Sequence, residues 1–89
     1  MISVTDAIRI VEEKEPELEV YAGIETQNWF QFLMVSKDTG EGLGNSMTYA
    51  VNKVTKEAGW KPTRVEEDED YTYGRIHYYD NGEIEQLRA

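Results

Sequence analysis

The chain begins with a helical period and then switches to the two-residue period of strands. Between Ser3 and Pro16, Ala7, Ile8 and Val11 share a stripe with Val4 one turn earlier, while Arg9, Glu12 and Glu13 point away from it. That spacing predicts an amphipathic helix. Ser3 suits its N-cap, Asp6 three residues on completes a capping box, and Pro16 ends it, because the residue before a proline avoids the helical region. From Leu18 to Glu25 the period is two: Leu18, Val20, Ala22 and Ile24 fall on one face, Glu19, Tyr21 and Glu25 on the other. Trp29 to Val35 is apolar on both faces, which predicts a strand central in its sheet. A tight turn at Thr26-Gln27-Asn28 would pair the two strands antiparallel.

Lys37 to Ser46 carries Gly40, Gly42 and Gly44 among small polar residues and reads as a loop. It has neither the Walker lysine arrangement nor the Rossmann glycine spacing, so a connection is favoured over a phosphate cradle. Met47 to Gly59 supports two readings. Met47, Ala50, Val51, Val54 and Ala58 recur at helical spacing, with Ser46 and Gly59 as possible caps. Thr48, Tyr49, Val51, Val54 and Thr55 instead favour strands, with Asn52–Glu57 as a hairpin turn. In the tail, Asp80-Asn81-Gly82 after the aromatic run Tyr71–Tyr79 signals a hairpin, with Glu83–Arg88 as a short last strand.

The fold class is therefore α+β, an N-terminal helix packed on an antiparallel sheet of four or more strands. The alternative is an α-β-β-α-β-β order with a second helix at 46–58. The 89 residues make one domain, and the sheet should bury Val20, Phe30, Phe32 and Met34 against Ile8 and Val11. With no cysteine there is no disulfide or thiolate-metal support, so the aromatics (two Trp, two Phe, six Tyr) matter most to the core.

Charge narrows the partners. Eighteen acidic residues against nine basic ones leave a formal charge of −9, which opposes binding to nucleic acid or to an anionic membrane and leaves two readings, a charge that serves solubility or a basic protein partner. No stretch approaches the roughly 18 apolar residues of a membrane span, and Met1–Asp6 lacks a signal-peptide n-region; a cytoplasmic protein is expected.

Reactive groups are few. His77 is the single histidine, so no histidine-rich metal site can form. None of Ser3, Ser36 and Ser46 lies in a nucleophile-elbow setting. The acids sit in polar runs that keep them ionised. No catalytic residue, metal or cofactor is expected. The five consecutive acids Glu66, Glu67, Asp68, Glu69 and Asp70 lack the spacing of a calcium loop. The tyrosines Tyr71, Tyr73, Tyr78 and Tyr79 cannot all be buried in one strand. Glu66–Asp70 with Tyr71, Tyr73 and Tyr78 are the candidate partner-binding residues.

The segment Tyr49-Ala50-Val51-Asn52-Lys53-Val54-Thr55-Lys56-Glu57 resembles the Tyr-x-Val-Asn/Asp-Lys-x-Thr-Gly-Glu stretch of small bacterial domains of the YrhB-like immunity type, and is similar to the repeating unit of PepSY-like domains. Those families usually have glycine where this chain has Lys56, a position of positive φ that glycine suits. The resemblance implies one helix on an antiparallel sheet, Val51 in a strand, and a turn over Asn52–Glu57. It also implies a noncatalytic protein that binds and neutralises a toxin, many such proteins being prophage-linked. A homodimer formed through sheet edges and a small-ligand binder or enzyme are the alternatives.

Overall fold

The computed structural model describes residues 1–44, 47–62 and 76–88. Helix α1 runs Val4–Lys14 and begins on the expected capping box. Ser3 Oγ accepts from the Asp6 N–H at 3.1 Å, and the Asp6 carboxylate accepts from the Ser3 N–H at 3.4 Å. At the other end the Glu15 N–H donates to the Val11 carbonyl, and Pro16 follows.

Six strands follow among the described residues: β1 (Leu18–Glu25), β2 (Trp29–Ser36), β3 (Gly42–Leu43), β4 (Met47–Asn52), β5 (Ala58–Pro62) and β6 (His77–Tyr79); helix α2 (Asn81–Arg88) comes last. Every pairing is antiparallel. The order is β5-β4-β2-β1-β6, with β3 adding two residues of the expected Gly-rich loop to the far end of β2. The doubly apolar β2 is indeed central. Register places Phe30 opposite Val51, Phe32 opposite Tyr49 and Met34 opposite Val20. These six therefore share one face, and Ala7, Ile8 and Val11 of α1 and Ile84 of α2 pack on it to make the core.

The alternation expected for β1 does not hold along its length. Val20 pairs with Met34, but Ala22, not Tyr21, pairs with Leu33. Tyr21 is the extra residue of a β-bulge, and every side chain beyond it changes face. Ala22 and Ile24 turn away from the helices with Leu33 and Gln31, while Gly23 and Glu25 turn towards them with Phe32 and Phe30. The inward position at 23 tolerates only glycine, since a Cβ there would lie 2.9 Å from Phe32 Cδ1. The ring fills the space that the missing side chain leaves.

Met47–Pro62 is strand, turn and strand, so the second helix at 46–58 is not formed. Pairing to β2 on one side and β5 on the other buries Thr48, Tyr49, Ala50 and Val51 on both faces at once, which a helix of that segment could not do. The turn is held by Asn52. Its Oδ1 accepts from the Val54 and Thr55 N–H groups, both at 2.9 Å, and its carbonyl accepts from the Lys56 N–H at 3.0 Å. Lys56 takes φ +65°, so the lysine occupies the left-handed position itself. Ser46, considered above as a cap, lies outside the described residues.

The tail also departs from expectation. Asp80-Asn81-Gly82 is not a hairpin turn but the start of α2. Asp80 Oδ1 accepts from the Glu83 N–H at 2.8 Å and its carbonyl from the Ile84 N–H at 3.0 Å, a side-chain cap that the Asn-Gly signal outweighed on sequence grounds. Ile84 and Leu87, poorly matched to a strand period, are three apart on one helical face, and Ile84 is fully buried.

Among the described residues β6 pairs with only three residues of β1, and much of that strand's outer edge has no described strand beside it. Side chains from both helices occupy it. Glu12 Oε2 accepts from the Val20 N–H at 3.0 Å, Arg88 Nη2 donates to the Val20 carbonyl at 2.8 Å, and Asn81 Nδ2 donates to the Tyr21 carbonyl at 3.0 Å. Glu12 and Arg88 also pair with each other at 2.6 Å, tying α1 to α2 across the bulge. Among the described residues no helix is long and apolar enough to cross a membrane.

Two stability measurements check this layout. Phe32→Ala should lower the unfolding free energy by about 3–5 kcal/mol, whereas Leu33→Ala, one residue on and facing the other way, should cost less than about 1 kcal/mol; equal urea midpoints would contradict the face assignment. Lys56→Gly removes left-handed strain of about 1–2 kcal/mol but adds freedom to the unfolded chain. It should therefore raise stability by about 1 kcal/mol or less, and a fall in the urea midpoint would contradict the strained turn.

Candidate functional site

Of the expected partner-binding residues, Glu66, Glu67, Asp68, Glu69, Asp70, Tyr71 and Tyr73 lie outside the described residues. Tyr78 is described. It stands in β6 opposite Ile24, on the face away from the helices, and 61% of it is exposed. Its neighbour Tyr79 points the other way, as strand alternation requires, and donates its hydroxyl to Glu25 Oε1 at 2.5 Å. His77 packs edge-on against the Tyr79 ring, with centroids 4.5 Å apart, and its Nε2 lies 3.7 Å from Glu83 Oε2.

Around Glu25 the fold assembles a cluster that the sequence pattern concealed. Lys53 follows the end of β4 with its backbone pinned on both sides: its N–H donates to the Asn28 carbonyl at 2.9 Å, and its carbonyl accepts from the Ile2 N–H at 3.1 Å. The side chain then passes over the Phe30 ring, Nζ 4.9 Å from the centroid, to reach Glu25 Oε2 at 2.5 Å. Lys53 is only 7% exposed. A strict two-residue alternation sends Glu25 to the face of Tyr21 and Glu19; the bulge sends it inward to meet Lys53 and Tyr79. No one-residue insertion is visible in a hydrophobic pattern, so the signal was absent.

The electrostatics of this cluster are those of a tie. Burial pushes the Glu25 carboxyl up, but hydrogen bonds from Lys53 and Tyr79 and the nearby Lys53 charge outweigh it and hold the carboxyl below its usual range. Burial, and then the hydrogen bond to the Glu25 carboxylate, push the Tyr79 phenol well above its ordinary value. Carboxylate and phenol are thus driven apart, so neither exchanges a proton easily near neutrality. The geometry joins β1, β4 and β6 at one end of the sheet. Among the described residues no group of three acidic or histidine side chains is placed to hold a metal.

Among the described residues, two concavities bear on function. One, of about 390 Å³, lies between the helices and is lined by Thr5, Ile8, Arg9, Glu12, Glu13, Leu87 and Arg88. Its two arginines are engaged, Arg88 with Glu12 and Arg9 with Asp6, both at 2.6 Å. The other, of about 530 Å³, opens beside the bulge and is bounded by Tyr21, Leu33, Met34, Val35, Gly40, Gly42 and Leu43. Tyr21, Leu33 and Leu43 in its wall are exposed.

No protein family, curated protein or solved structure matches this chain. Its function has to be read from its own surface. That surface offers a locked ion-pair cluster, a helix groove whose arginines are paired, and an open concavity beside the bulge.

Acid unfolding tests the cluster. A carboxyl held below its ordinary value of about 4.5 in the fold contributes stability that is fully present above that pH and lost as the pH falls through the folded value. Glu25→Gln cannot titrate there. The stability difference between wild type and Glu25→Gln, measured by urea unfolding, should therefore narrow as the pH falls below about 4.5; a gap unchanged between neutral and strongly acid solution would contradict the tie.

Proposed function

We propose that this chain is a noncatalytic protein-binding module of the immunity or inhibitor type, acting in the bacterial cytoplasm on a basic protein. The supporting observation is that two exposed apolar residues, Tyr21 and Leu33, line one concavity on a chain of formal charge −9. Apolar area of this kind on a soluble domain marks a docking surface, and a strongly acidic body steers basic partners towards it and repels others. The exposed Tyr78 adds a second contact of the type that interfaces use. The positive φ at Lys56 fits the glycine that immunity-type segments carry at that place in the resembling stretch. The lack of cysteine suits a reducing compartment.

The sheet edges speak against pairing with a second copy. Pro62 ends β5 without an N–H to offer, and the edge of β1 is filled by Glu12, Asn81 and Arg88. A partner meeting a face rather than an edge suits this design better.

Affinity capture from the native host tests the proposal. The tagged chain should retain a basic protein in near-stoichiometric amount, and a variant with Glu66, Glu67, Asp68, Glu69 and Asp70 changed to their amides should retain it at least tenfold less well. Recovery of no protein, or of the same protein equally well by both, would remove the reading.

A further inference from the structure

Asparagine followed by glycine is a reactive pair as well as a turn signal. Of the four asparagines, Asn28, Asn45, Asn52 and Asn81, only Asn81 precedes a glycine. A glycine has no Cβ beside its amide nitrogen, so that nitrogen can attack the carboxamide carbon of the residue before it. The fold places this pair in the first turn of α2, with Gly82 exposed and Asn81 half-buried.

Three hydrogen bonds hold that turn. Asp80 Oδ1 accepts from the Glu83 N–H at 2.8 Å, the Asp80 carbonyl accepts from the Ile84 N–H at 3.0 Å, and Asn81 Nδ2 donates to the Tyr21 carbonyl at 3.0 Å. The third ties the start of α2 to the β1 edge at the bulge, and it engages the nitrogen that deamidation would release. The ring formed in that reaction joins Gly82 N to Asn81 C, Cα, Cβ and Cγ. It is nearly flat, which a helical ψ at Asn81 does not allow. Conversion therefore proceeds from a state in which the first turn is open.

Opening is a local event here. α2 has eight residues, too few for a helix to persist on its own, and a glycine in its first turn weakens it further. Its fully buried anchor, Ile84, lies beyond the pair that has to move.

We infer that Asn81 is a site of spontaneous deamidation and that its conversion releases the first turn of α2 from the β1 edge. The Gly82 nitrogen bonds to Asn81 Cγ, the Cγ–Nδ2 bond breaks, and ammonia leaves carrying the proton lost by Gly82. One water then opens the cyclic imide at either carbonyl. The products are aspartate, or isoaspartate with the main chain running through Cβ. Aspartate has no hydrogen to donate to the Tyr21 carbonyl and sets a carboxylate against it. Asp80 and Glu83 already complement the helix N-terminus, so a third acid adds mainly repulsion. Isoaspartate lengthens the main chain by one carbon between Asp80 and Gly82, which shifts the cap from the Glu83 N–H.

The experiment ages the purified full chain in neutral buffer beside the synthetic peptide Tyr-Asp-Asn-Gly-Glu-Ile, with peptide mapping and anion exchange as readouts. Asn81 should convert to aspartate and isoaspartate, more slowly than in the peptide, while the other three asparagines stay intact. Asp80→Ala removes the cap and should speed conversion about two- to thirtyfold, the change in opening equilibrium that one cap represents. Asp80→Ser keeps a cap and should stay within about twofold of wild type. Should Asp80→Ala fold poorly, a faster wild-type conversion in urea below the unfolding transition carries the same expectation. Gly82→Ala is accommodated, since a Cβ there lies 3.4 Å from its nearest neighbour, Asp80 Oδ1, and it should convert far more slowly. The deamidated chain, separated by its added charge, should exchange the Glu83 and Ile84 amides faster and unfold at a lower urea midpoint. An intact Asn81 once the peptide has converted fully would overturn the site. Conversion as fast as in the peptide, or a deamidated chain with unchanged exchange and midpoint, would overturn the release.

Discussion

The extra residue in β1 governs which side chains of this sheet meet the helices. A strand that kept perfect alternation would point Ala22 and Ile24 into the core and leave Glu25 in water. With Tyr21 bulged out, Val20 keeps its place against Met34 while Gly23 and Glu25 rotate inward. The inward rotation is possible because position 23 has no side chain, and the Phe32 ring takes the vacated volume. It is stabilised at the far end because Glu25 arrives within reach of both Lys53 and Tyr79. Bulge, glycine and ion pair are therefore one arrangement in three places, and losing any of them would strain the other two.

The same bulge shapes the outside of the molecule. It interrupts the ladder on the edge of β1, beyond the three residues that β6 pairs with among the described residues, and leaves backbone groups of Val20 and Tyr21 facing outward. Glu12 and Arg88 satisfy those groups while pairing with each other, and Asn81 joins them. An exposed strand edge invites uncontrolled pairing with other chains; here two helices close it with side chains. An ion pair with this duty is worth more to the fold than its Coulomb energy suggests, since breaking it would also strand two buried backbone groups.

The candidate sites differ in how far their groups are already engaged. Glu25 and Tyr79 have their protons held away from neutrality, and the helix groove has its arginines paired with Glu12 and Asp6. The concavity beside the bulge is different: Tyr21 and Leu33 in its wall are exposed.

Much of the architecture was legible from local chemistry. Ser3, Asp6 and Pro16 bound α1 because capping and proline sterics act within a few residues. Phe30, Phe32 and Met34 declared a central strand because an apolar run needs cover on both faces. For Met47–Gly59 local preference was evenly divided, and pairing to β2 and β5 resolved it by burying four consecutive residues. At the tail, the Asn-Gly signal lost to Asp80 as a cap and to Ile84 as a buried anchor, a choice that depended on α1 and the sheet offering a place for Ile84. The expected acidic and tyrosine residues from Glu66 to Tyr73 fall outside the described residues, leaving Tyr78 from that set. What no pattern of residues could reveal was the bulge. A one-residue offset between two strands is a relation between distant segments, and it alone sets where Glu25 points, what Lys53 meets and whether a concavity opens beside Tyr21.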